Sequence, residues 1–143
     1  MDCRQVKYWF NKYQEELMDN TFILGLISWF IPGSGHLLQR RWKRGIIIGL
    51  VFWILFIVAI LSGGAHYPGF SFKDGSLLYL LNVLGRLGSG LGAIISFLVW
   101  QNPPPNVAAW ATFEYGGRFL EIAGLINYLA VIDAIDIHLG RKK

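Results

Sequence analysis

Charge is what this 143-residue chain has least of: 15% of its residues are charged and 54% hydrophobic, where an ordinary soluble domain carries about 25% charged residues. At a mean hydropathy of +0.43, the polar residues are too few to cover a water-soluble core. Cysteine is almost missing, and a single Cys3 excludes an internal disulfide or a multi-cysteine metal cluster while leaving the redox compartment open. His36, His66 and His138 are far apart, with no H-x-x-H or histidine–carboxylate spacing, so no metal is expected. "GRLGSGLG" is neither G-x-G-x-x-G nor a Walker loop, and no nucleophile accompanies Asp133 and Asp136 to make them paired catalytic acids. These absences predict a protein with no catalytic activity and no cofactor, built as one domain over 1–143.

What the chain does have is apolar length. Ile46 to Ser62, "IIIGLVFWILFIVAILS", holds no charge, and at about 1.5 Å per residue it nearly crosses a hydrocarbon core roughly 30 Å thick. We read it as a transmembrane helix. Four cations, Arg40, Arg41, Lys43 and Arg44, stand just before it. They account for much of the net charge of +4 and predict cytoplasmic headgroup anchoring and attraction for anionic lipids; no nucleic acid is expected, since the cations do not run along a long face.

The other segments are less regular. Residues 1–19 place Val6, Phe10, Tyr13, Leu17 and Met18 near a helical repeat, predicting an N-terminal amphipathic helix that lies in the interface or packs on the protein itself. The long mixed-charge start and the bulky "SWFIPG" argue against a cleaved signal at Thr21–Ser34. Within 21–62 the first apolar stretch is broken by Pro32, Gly33 and Gly35, which predicts a kinked helix or a shallow re-entrant hairpin, with His36 bonding the freed backbone. Residues 76–100 read as one Gly-rich span or two half-helices, and 114–139 as a C-terminal helix ended by Gly140 and cations. If the broken first segment and the split third one do not cross, the N-terminus, "RRWKR" and "RKK" share the cytoplasmic side; four full spans are the alternative. The fold class is therefore all-α, an integral membrane protein with two to four membrane-embedded segments, some broken or re-entrant.

Two sets of residues suggest how the segments pack. Gly45, Gly49, Gly85, Gly88, Gly92, Gly117 and Gly124, with Ser96, offer small faces on which a membrane helix can pack closely. A turn of about 100° per residue puts Glu114, Arg118, Glu121 and Asp136 in one sector of the last helix. With Arg86, they form a polar seam that fixes register, or else a proton or ion path through Glu121 and Asp136. Glu114 and Arg118 have the favourable i, i+4 order, and Glu121 also reaches Arg118. Arg86, if flanked by half-helices, is expected to reach headgroups. Trp29, Trp42, Tyr67, Trp100 and Trp110, at segment ends, suit interfacial belts, or else contacts with a larger partner or with pigment rings.

"WFIPGSGHLLQRRWKRG" followed by an apolar span resembles small bacterial membrane proteins of unknown function. These carry a Pro-Gly-x-Gly-His turn, a basic stretch and a Gly before the next helix, and are distantly similar to the two-transmembrane-segment domain. "AGLINYLAVIDAIDIHLGRK" is similar to their second signature, a Gly-Leu-x-Asn-x-Leu run leading to an Asp. Gln39 stands where such proteins often have Gly, which bears on the tightness of the turn. The resemblance implies architecture and a bacterial inner-membrane location, with no enzymatic activity. The expected function is that of an accessory or structural subunit of a larger integral membrane complex. The alternatives are an ion- or proton-handling transport protein and an anionic-lipid-binding protein that organises the membrane.

Overall fold

The computed structural model describes residues 20–67 and 77–142, together with Gln5 and Trp9; at 77–79 only the backbone is described. The amphipathic helix expected over 1–19 and most of the loop after the first long span lie outside the described residues. Over residues 20–67 and 77–142 six α-helices follow one another: α1 (Thr21–Phe30), α2 (Ser34–Leu38), α3 (Trp42–Leu61), α4 (Leu77–Gly88), α5 (Leu91–Trp100) and α6 (Phe113–His138). Short 3-10 turns sit at Gly64–His66 and Val107–Ala109, and no strand occurs among the described residues.

The long helices α3 and α6 form the axis of the molecule. α3, with 20 residues and a mean hydropathy of 2.7, is the one described helix long and apolar enough by itself to cross a membrane, and only 22% of its most apolar stretch is buried. That is the opposite of a soluble core helix. α3 and α6 run antiparallel: Ala59 and Gly64, at the end of α3, lie against Gly116 at the start of α6. Phe52, Phe56 and Ala59 close on Leu120 and Ala123 to make the apolar core.

Against this axis lie two hairpins, each about half its length. In the first, Asn20 caps α1, its Oδ1 accepting from Phe22 N at 3.1 Å. α1 starts beside Ile135 near the end of α6, where Gly25 sits, and runs inward until the Trp29 carbonyl reaches Asn127 near the middle of α6. Pro32 and Gly33 then reverse the chain. Gly33 has φ +85°, and a Cβ there would meet the Gly45 carbonyl at 2.4 Å, so the turn needs glycine twice over. Ser34 Oγ donates to Ile27 O at 2.9 Å, and Gln39 Nε2 to Ala134 O at 2.7 Å. The hairpin thus leaves at the end where it entered, the basic end. The first segment thus folds back as a hairpin and does not run on as a kinked helix.

The second hairpin enters from the opposite end. α4 descends along α6 with Gly85 on Glu121 and Gly88 on Gly124, and breaks at Gly90, φ +54°. There the axis turns by 115° into α5, which returns until Val99 O meets His66 Nε2 at 3.1 Å. The apolar stretch 76–100 is therefore two half-helices, and Gly85, Gly88, Gly92 and Ser96 do not share one face. The first two pack on α6, while Gly92 takes the Phe56 ring of α3. Gly45 and Gly49 receive Leu37 and the Pro32 carbonyl, and Gly117 the Tyr67 ring. The seven glycines expected to offer packing faces all have close neighbours within the chain, because folding each broken segment back on itself supplies the extra helices.

A Cβ on Gly124 would lie 1.6 Å from the Gly85 carbonyl, whereas one on Gly25 would touch only the mobile tip of Ile135 at 3.3 Å. Gly124→Ala is expected to cost about 1–3 kcal/mol or more through overpacking, and Gly25→Ala to be neutral or slightly stabilising through helix propensity. Thermal unfolding of the two variants in detergent checks the order; equal losses would overturn this packing.

Candidate functional site

The side chains in the interior are polar to an unusual degree. Ser28, Ser34, His36, Asn82, Arg86, Ser89, Ser96, Glu121 and Asn127 are all buried, while Phe22, Ile47, Leu61 and Leu129 are more than half exposed. The buried groups gather at three levels along α6.

At the middle level the two hairpin tips meet. Asn127 is fully buried, and its Nδ2 donates to Trp29 O and to Gly88 O, both at 2.8 Å. Those carbonyls belong to the last turns of α1 and α4, where helix geometry leaves acceptors without partners. An amide nitrogen carries two hydrogens, so one side chain closes two helix ends. Trp29 Nε1 adds a bond to Leu87 O at 3.0 Å, directly from tip to tip. Trp29 thus joins the two hairpin tips at the middle of the molecule, whereas Trp42 lies exposed at the basic end and Trp100 and Trp110 at the other. Among the described residues Asn127 Oδ1 has no hydrogen-bond partner. In the sequence Asn127 stands out only as the Asn of the Gly-Leu-x-Asn-x-Leu run and as a lone amide in the aliphatic stretch "LINYLAV", neither of which gives it a role.

At the level away from the basic end, Glu121 is 5% exposed and takes the Arg118 guanidinium at 2.9 and 3.3 Å. Asn82 faces the same carboxylate and gives it a donor when its amide nitrogen is turned inward, 3.2 Å from Oε2. Arg86, 4% exposed, donates to Ala65 O at 3.1 Å, to Gly64 O at 3.2 Å and to Tyr67 O. The expectation that it reaches headgroups is corrected: the carbonyls after α3 turn inward, and its charge is held between them and Glu121. Arg118 also stacks over the Tyr67 ring, 5.6 Å from its centroid.

The predicted seam is not one surface. Glu114 is exposed, and its bond to Arg118 does not form because Arg118 turns to Glu121. Asp136 lies at the far end with Arg141, 3.6 Å away. The buried face of α6 runs instead through Gly117, Leu120, Glu121, Gly124, Asn127 and Ala134; the small residues choose it, since only there can α4 come close.

The third level lies at the basic end. His36, 1% exposed, places Nε2 3.0 Å from Asp133 Oδ2, and Lys142 Nζ donates to Asp133 Oδ1 at 2.8 Å. His36 therefore bonds a carboxylate and not the freed backbone, which closes its own turn through Ser34 N to Ile31 O at 3.1 Å. The hydrogen bonds from Lys142 and then His36 hold the Asp133 carboxyl below the ordinary carboxylate range, and Asp133 in turn raises Lys142. Beside them Arg40, Arg41, Trp42, Lys43 and Arg44 line an open groove of about 400 Å³. Among the described residues no three His, Cys, Asp or Glu side chains gather as metal ligands.

A family of unknown function (DUF6677) matches residues 23–143, and the chain belongs to that family. No curated protein and no solved structure matches it.

Asn127→Ala leaves two buried carbonyls unpaired, at about 1–3 kcal/mol each. The expected result is a marked fall in melting temperature, with faster hydrogen exchange at residues 29–33 and 86–91. Unchanged exchange at either tip would refute the clamp. For Asp133 the folded-state acidity is enhanced, so its contribution is present above the ordinary carboxylate range and lost as pH falls through the lower, folded value. Acid melts should show that loss in the native chain and not in Asp133→Asn, which lacks the contribution at every pH.

Proposed function

We propose that the protein is a non-catalytic integral protein of the bacterial inner membrane, serving as an accessory or structural subunit of a larger membrane complex. In this reading α3 crosses, α6 crosses with its stretch up to Ile132, and the two hairpins enter halfway from opposite sides. Cations support the orientation: Arg40, Arg41, Lys43 and Arg44 share one end with Arg141 and Lys142, as the positive-inside rule favours for the cytoplasm.

The observation that carries the functional reading is how the interior polar groups are used. Arg86, Asn127 and His36 each join one segment to another, and Glu121, paired with Arg118 of its own helix, also faces Asn82 of α4, so the polar interior serves assembly of the fold, and away from the basic end what remains for the surroundings is largely apolar. Ile47 at 61%, Leu50 at 56%, Ile54 at 58% and Leu61 at 74% exposure make an unbroken outer face on α3. Lipid or a neighbouring helix suits such a face; water does not.

A second reading, ion or proton handling, has one observation in its favour. Hairpins that meet in the middle at an oxygen without a partner among the described residues, Asn127 Oδ1, with a buried carboxylate, Glu121, at the next level of α6, put broken backbone where membrane transporters often bind ions.

Two measurements separate these readings. Purification in mild detergent followed by mass spectrometry is expected to return a defined membrane partner in fixed ratio, and a lone monomer would overturn the subunit role. Glu121→Gln is expected to leave proton flux into proteoliposomes unchanged while weakening assembly; abolished flux would establish the transport reading instead. For topology, with Cys3 replaced by Ser, single cysteines at Lys43 and at Gln101 should react with an impermeant reagent from opposite sides of the membrane.

A further inference from the structure

We propose that the groove of Arg40, Arg41, Trp42, Lys43 and Arg44 binds the headgroup of an anionic phospholipid, whose acyl chains lie along the exposed lane of α3 below it. This goes beyond the subunit role and does not depend on it.

Among the described residues the positive charge in the groove is uncompensated. Among the described residues none of the four cations makes an ion pair, and the two carboxylates at this end are taken, Asp133 by Lys142 and His36 and Asp136 by Arg141. Arg44 is close enough to Lys142 to disfavour its charge. Like charges brought together from the start of α3 and the C-terminal tail call for an anion between them, and a phosphate, with several acceptor oxygens, fits guanidinium and ammonium donors better than a single carboxylate does.

The backbone here is fixed by the fold. Arg40 adopts φ +59°, a left-handed conformation uncommon for a residue with a side chain. Its N–H donates to Leu37 O at 3.0 Å and that of Arg41 to His36 O at 2.9 Å. The turn is thereby pinned to α2, whose His36 is in turn held by Asp133 of α6. Consecutive cations consequently surround a groove, where a continuous helix would have dispersed them around its circumference.

What surrounds the groove selects a lipid over a soluble anion. Trp42, 62% exposed, is part of its wall, and from it Ile46, Leu50 and Ile54 follow at every fourth position, each at least half exposed. Charge above and an apolar lane directly below match a molecule with a charged head and two hydrocarbon tails. A soluble phosphate would gain nothing from the lane, and a nucleic acid would require cations spread over a longer face.

The test uses the full chain in a non-ionic detergent and calorimetric titration with four probes: dihexanoyl phosphatidylglycerol, dihexanoyl phosphatidylcholine, glycerophosphoglycerol and inorganic phosphate. Phosphatidylglycerol is expected to bind at least roughly tenfold more tightly than each of the others, and to weaken as salt is raised. Replacing Arg40, Arg41, Lys43 and Arg44 together by Gln should weaken it at least roughly tenfold, while replacing the three arginines by Lys should retain most of the affinity; a melting curve confirms that both variants fold. Equal binding of phosphatidylcholine, or full binding by the Gln variant, would overturn the site. Phosphate or glycerophosphoglycerol binding as tightly as the lipid would also overturn it, leaving a soluble-anion site.

Discussion

One amide joins two helices that stop in the middle of the molecule. A helix end leaves carbonyls without partners, and carbonyls that end in the interior of the fold must be paired there. Asn127 meets that constraint for α1 and α4 at once, through Trp29 O and Gly88 O. Both half-depth hairpins therefore depend on a single position of α6, and each tip supports the other through Trp29 Nε1 and Leu87 O. Without such a joint, ten-residue helices such as α1 and α5 would each bury a broken end at no return.

The glycines follow from the same requirement. For Asn127 to reach Gly88 O, the backbone of α4 must lie nearly on that of α6, and Gly85 and Gly124 leave no room there for even one methyl group. Close approach brings Asn82 and Gly85 onto Glu121, so that a carboxylate otherwise costly to bury is surrounded by donors. A buried ion pair contributes little net stability, but removing one partner strands the other. Glu121 and Arg118 are thus best understood as fixing the position of α4, with Arg86 tying the same helix to the turn after α3.

Much of this was legible in the sequence. The span of α3, the break at Pro32–Gly33, the split of residues 76–100 and the C-terminal helix all follow from apolar length and from residues that interrupt helix. The location of the buried face of α6 did not follow. A stripe drawn through charges picked Glu114 and Asp136, which lie at the ends, because charge marks a face only when something close packs on it. Gly117, Gly124, Ala130 and Ala134 were the better guide, since small residues record where a neighbour's backbone comes near. His36 and Asp133 stand 97 positions apart, and no periodicity within either segment could pair them; only the reversal at Gly33, which carries α2 back to the end of α6, brings them together.

That reversal also explains why the basic residues act as a group. Were α1 and α2 one continuous crossing helix, Arg40 to Arg44 would lie at the end opposite Arg141 and Lys142, and the cations would be divided between two surfaces. Folding the first segment back returns them to the side they share with the C-terminal tail, while the second hairpin, entering and leaving at the opposite end, preserves the antiparallel course of α3 and α6. The charge asymmetry among the described residues is thus a consequence of two turns, at Gly33 and at Gly90, next to helix ends that Asn127 holds from the middle of α6.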